Sequence, residues 1–137
     1  MKKNLSILLA AVMLLGAILA CGGSADTGSS DSGPVAIGDL PVPDGVTQSS
    51  DEALQLGMQT MVENIPLKNT QGVTLDVPAG TTWDAVKSFY STQLENNGWT
   101  AGEGSDSDRI QTWTRGNQTV VINLTDYGLI LLLGDTQ

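Results

Sequence analysis

The chain has no histidine and a single cysteine, and its aromatic residues are 3 Trp, 2 Tyr and 1 Phe. Without histidine there is no Ser-His or Cys-His pair and no His-bound zinc. One cysteine excludes an internal disulfide, so the core alone must hold the fold. Cations are also scarce: 6 Lys+Arg stand against 15 Asp+Glu, for a net charge of −9. Such a chain repels nucleic acid and anionic headgroups, so no nucleic-acid partner is expected. Beyond the first three residues the only lysines are Lys68 and Lys87, and no Ser-x-x-Lys pattern precedes either. Carboxylates, hydroxyls and amides are what remains for chemistry.

The densest acidic run is Glu103-Gly104-Ser105-Asp106-Ser107-Asp108. Paired carboxylates can hydrolyse glycosides, but that chemistry needs a long cleft, which about 100 residues hardly build. Glu103, Asp106 and Asp108 are at best weak oxygen ligands for calcium. The run lacks the full loop spacing, the required glycine and the distal glutamate of a calcium loop. A solvated hairpin loop is the simpler reading. No catalytic residue, metal or cofactor is assigned, and an enzyme is not expected.

The first positive feature is the start of the chain. Residues 5–20 carry no charge, and Ser6 is their only polar side chain. The run is shorter than the roughly 20 apolar residues of a spanning helix. Lys2 and Lys3 precede it, and it ends Gly16-Ala17-Ile18-Leu19-Ala20-Cys21, followed by Gly22-Gly23-Ser24. This pattern resembles a bacterial lipoprotein signal peptide, with Leu19 the less usual residue at its place. The resemblance implies that residues 1–20 are cleaved. It also implies that Cys21 carries a diacylglycerol thioether, usually with an added N-acyl chain. Two or more chains anchor a protein stably, whereas one does so only marginally. The implied location is the extracytoplasmic side of the cell membrane or outer membrane, with the lipid as the membrane contact. An ordinary signal peptide with a chance cysteine, or a short N-terminal anchor helix, is the alternative.

Cleavage would remove Lys2 and Lys3 and leave 4 basic against 15 acidic residues, about −11. Residues 21–38 read as the lipidated cysteine and a tether, because Gly22 to Gly33 contains only Gly, Ser, Ala, Thr and Asp. Such a segment buries nothing and spans roughly 20 Å. Ordered chain is expected from near Val35, and residues 39–137 read as one domain.

Within it, Leu40-Pro41-Val42-Pro43-Asp44-Gly45 is extended and turn-rich. Ser49 with Glu52 reads as a capping box for a first helix. Leu54, Met58, Met61, Val62 and Ile65 form one face of that helix, and Pro66 ends it. Val73, Leu75 and Val77 alternate as a strand. Thr81 reads as the cap of a second helix, striped by Trp83, Val86, Phe89, Tyr90 and Leu94. Gly98 can close that helix in the left-handed conformation and set Trp99 against Leu94. Gly116-Asn117 is a hairpin signal between two alternating segments and pairs Trp113 with Val120. Asp126-Tyr127-Gly128 reads as the next turn, with Thr125 opposite Leu129. These elements predict an α+β domain, an antiparallel β-meander packed by one main helix, with a second N-terminal helix.

The same register places Trp113, Val120, Ile122, Leu124, Ile130 and Leu132 on one sheet face and Val121, Leu131 and Leu133 on the other. That second face is either covered by the first helix or open as a contact surface for a partner. The unpaired stripe on the first helix favours cover. The order of proline-rich start, Phe89-Tyr90, Leu94, Gly98-Trp99 and meander resembles small bacterial envelope lipoproteins. The resemblance implies a lipid-anchored, non-catalytic binding or assembly module of the cell envelope, with an envelope protein as a possible partner. A solute-binding accessory protein, or a small envelope enzyme without His or Cys chemistry, is the alternative.

Overall fold

The computed structural model describes residues 33–137. The leader, Cys21 and the tether up to residue 32 lie outside the described residues. Two helices, α1 (Glu52–Asn64) and α2 (Trp83–Asn96), join six strands. The strands are β1 (Thr47–Gln48), β2 (Leu67–Asp76), β3 (Thr100–Ser105), β4 (Ile110–Arg115), β5 (Gln118–Leu124) and β6 (Leu129–Thr136). All pairings are antiparallel, in the order β1-β2-β6-β5-β4-β3. The fold is therefore the expected α+β architecture, with β3 to β6 as the meander.

Local chemistry sets the helix ends. Asp51, not Ser49, caps α1 by accepting from the Leu54 amide at 3.0 Å. Ser49 instead accepts from the Asp51 amide and pairs by its backbone with Thr74. Thr82, not Thr81, caps α2, accepting from the Ala85 amide. At the other end Gly98 takes φ +80, the Trp99 amide donates to Leu94 and the Gly98 amide to Glu95. This pair of bonds is the Schellman closure. It delivers Trp99 into the core at 4% exposure, under the Arg115 guanidinium at 5.3 Å. Trp99 is a packing residue and not a ligand-stacking one.

The helices lie on opposite faces of the sheet. On one face α2 packs Trp83, Val86, Tyr90 and Leu94 against Leu75, Trp113, Val120, Ile122, Leu129, Leu131 and Leu133. On the other, α1 lays Leu54, Met58, Met61, Val62 and Ile65 over Val121, Ile130 and Leu132. The stripe read on α1 is thus the cover of the second face. Membership of that face differs from expectation. The Gly116-Asn117 hairpin has the expected register, Trp113 opposite Val120 and Gln111 opposite Ile122. The next hairpin pairs Leu124, not Thr125, with Leu129. Thr125 belongs to the turn: its hydroxyl accepts from the Tyr127 and Gly128 amides, and its own amide donates to the Gly128 carbonyl. A one-residue slip exchanges the faces of a strand. Leu131 and Leu133 therefore join the α2 side, while Ile130 and Leu132 join Val121 beneath α1.

β2 starts earlier than the alternation of Val73 and Leu75 indicated. Its first half pairs with the end of β6, and a bulge between Lys68 and Gln71, with Asn69 at φ 51, interrupts the ladder. The extra residue reverses the alternation and turns Leu67 toward the α1 side.

The described chain is engaged from its first residue, inside the stretch assigned to the tether, where the Gly33 carbonyl accepts from Arg115 Nη2 at 2.9 Å. Val35 exchanges two hydrogen bonds with the Gln118 side chain, and the Ile37 amide donates to Gln71 Oε1. Val35, Ile37 and buried Leu40 pack on the α2-side core. Residues 35–46 therefore form a strap along that face, held mainly by side chains and not by a strand ladder.

Candidate functional site

The strap and α2 do not close completely on each other. Between them lies a pocket of about 220 Å³. Three elements build it. The strap supplies Pro43, Asp44 and Val46 from a turn closed by the Val46 amide on the Pro43 carbonyl at 3.3 Å. The connection from β2 to α2 supplies residues 77–82, except Ala79, and α2 itself supplies Ala85, Val86 and Phe89. Leu129 of β6 forms part of the wall, beside the buried core.

The pocket is chemically quiet by construction. The Thr81 hydroxyl donates to the Pro78 carbonyl at 2.6 Å, and the Thr82 hydroxyl is occupied as the α2 cap. The Val46, Thr81 and Val86 amides of the lining donate to the Pro43, Pro78 and Thr82 carbonyls. Valine, proline, phenylalanine and leucine side chains give the wall its character, with Asp44 the one charged residue in it. The mostly apolar wall can hold a small apolar body, with the Asp44 carboxylate at its edge.

Phe89 links the pocket to the deep core. Its ring meets Tyr90 edge-on at 5.1 Å, and Tyr90 lies 6.4 Å from Trp113. The Tyr90 hydroxyl and Trp113 Nε1 are buried and have no hydrogen-bond partner among the described residues. Burial pushes the Tyr90 phenol well above its ordinary value. The α2 side of the sheet thus carries two unpaired polar atoms as well as the pocket.

The residues singled out in the sequence fall elsewhere. Cys21 lies outside the described residues. Glu103 sits in β3, and Asp106 and Asp108 in the turn that follows. Among the described residues no group of three or more His, Cys, Asp or Glu is placed to hold a metal ion. Asp106 has another use: its Oδ1 accepts from Lys87 Nζ at 2.6 Å and from Trp83 Nε1 at 3.0 Å. The Lys87 hydrogen bond, then the Trp83 one, holds this carboxyl below its ordinary range. Asp108 accepts from the Ser105 hydroxyl. The acidic run is therefore a hairpin that pins the start of α2. Val121, Leu131 and Leu133 do not share a face and are buried, so they offer no contact surface. The pocket residues were visible only as turn and stripe residues. The one hint was the adjacent pair Phe89-Tyr90: neighbours on a helix point about 100° apart, so only one of them can sit in the seam.

A family model described as START domain-like matches residues 58–136, more than half of the chain. The chain belongs to the START domain-like family. No curated protein and no solved structure matches it. The START-like match runs from within α1 to the end of β6 and so includes α2, the whole meander and most of the pocket. The strap wall, with Pro43, Asp44 and Val46, precedes it. Membership fits a non-catalytic, ligand-binding module. Among the described residues no helix is long and apolar enough to cross a membrane.

Proposed function

We propose that this chain is a lipid-anchored, extracytoplasmic binding module of the bacterial cell envelope that holds a small apolar ligand between the strap and α2. The apolar pocket of about 220 Å³ is the observation that carries the reading. START-like membership supports it, because such domains are generally ligand-binding and not enzymatic. The residue pattern before Cys21 supports the anchor. The module binds without turnover, since the lining holds no pair of groups that could exchange a proton with a ligand.

Thermal unfolding with and without indole tests the pocket. A ligand at 100 times its Kd stabilises by about 2.7 kcal/mol. The melting temperature of the chain should rise with indole, and Ala85→Trp, which fills the pocket, should abolish the rise. No rise, or an equal rise in the variant, contradicts the reading. Intact-mass analysis tests the anchor: the mature chain should begin at Cys21 and carry acyl mass. An unmodified thiol there contradicts it.

A further inference from the structure

The charge pattern around the pocket narrows its ligand, on the premise that the pocket binds one. Asp44 is the single charged residue in the lining, it is exposed, and its carboxylate forms no hydrogen bond or ion pair among the described residues. No lysine or arginine lines the pocket. The cations of residues 33–137 are placed or committed elsewhere. Lys87 is bound to Asp106 and Arg109 to Asp126 at 2.7 Å. Arg115 lies over Trp99 and donates to the Asn97 and Gly33 carbonyls. Lys68 stands at the far end of β2, next to the bulge. Asp76 and Asp84, both exposed, adjoin the lining residues Val77 and Ala85 in sequence. The chain as a whole carries −9. A low-dielectric cleft edged by one sign of charge concentrates the field at its mouth and draws in the opposite charge.

We infer that the pocket selects small cationic amphiphiles: an apolar body of about ten heavy atoms inside, and an ammonium group beside Asp44. A neutral analogue keeps the apolar contact and loses the attraction. An anionic analogue meets Asp44 and the field of the whole domain, with no cation to receive it. Asp44 precedes the residues matched by the family, so this selectivity belongs to the strap of this chain and not to the shared domain.

Three probes that share a phenethyl group and differ in its end group test the inference by calorimetry: 2-phenylethylamine, 2-phenylethanol and 3-phenylpropanoate. Each is titrated into the full chain in phosphatidylcholine nanodiscs, with empty nanodiscs subtracted. The amine should bind about two- to fivefold more tightly than the alcohol, the range of an exposed ion pair, and the carboxylate should bind most weakly. Asp44→Asn should bring the amine down to the alcohol and leave the alcohol unchanged. An alcohol that equals the amine, a carboxylate that leads, or an amine preference that survives Asp44→Asn overturns the inference and leaves the pocket standing. If none of the three binds while the chain keeps its melting temperature, the pocket reading falls as well.

Discussion

The two faces of the sheet are built to different standards. Under α1 the packing is small and tight. Gly72 leaves room for Met58 and Leu132, whose atoms would stand 2.5 and 2.9 Å from a side-chain carbon placed there. Gly57 in turn brings α1 close to Ile130. Under α2 the core is larger and carries Trp83, Tyr90, Trp99 and Trp113. Yet that side holds the pocket and the two buried polar atoms without partners. Protein interiors are close-packed as a rule, and buried polar groups are paired. The face that carries both features, beside one that carries neither, is where the proposed ligand site lies.

The comparison can be broken most severely at Trp113. It is fully buried in the α2-side core, and Trp113→Ala should cost about 3–5 kcal/mol in denaturant unfolding, the usual loss for a buried aromatic. A smaller loss would mean that the α2 side contributes less to the fold than its bulk indicates. On the other face, Gly72→Ala should cost about 1–3 kcal/mol by overpacking, and indole binding should survive it. If that variant is as stable as the parent, the α1 side is not the tight one.

A finer distinction concerns Tyr90. Removing a buried hydroxyl that has no partner relieves a desolvation penalty of about 1–3 kcal/mol. Tyr90→Phe should therefore stabilise the fold by about 1 kcal/mol. Because burial raises the phenol's pKa, the folded state keeps a proton that the unfolded state releases. The stability is whole below the unfolded-state value of about 10 and declines as pH rises beyond it. That alkaline decline should be reduced in Tyr90→Phe. An unchanged decline would show that ionisation of Tyr90 is not its source.

Much of this architecture was legible, because it is written in local chemistry. Gly116-Asn117 set its hairpin, and Gly98-Trp99 closed α2, as their spacing indicated. The caps were misplaced by one or two residues, since Ser49 and Asp51, or Thr81 and Thr82, offer nearly equivalent oxygens, and only the observed amides choose between them. The last hairpin slipped by one residue because Thr125, a good strand residue, serves the turn through its hydroxyl. β3 was not read as a strand, since Gly102 and Gly104 weaken that pattern. The pocket was illegible for a different reason. It exists only where the turn at Pro43 to Val46 meets Val86 and Phe89, about forty residues away, and no periodicity records a gap between distant segments.

The most direct test of the account is methyl NMR during a titration with 2-phenylethanol. Saturable shifts should appear at Val46, Val77, Val86 and Leu129, which line the pocket, while Val121, Ile130 and Leu132 under α1 stay unmoved. Shifts at the α1-side methyls, or no saturable shift at the four pocket residues, would contradict the division of the sheet into a structural face and a binding face.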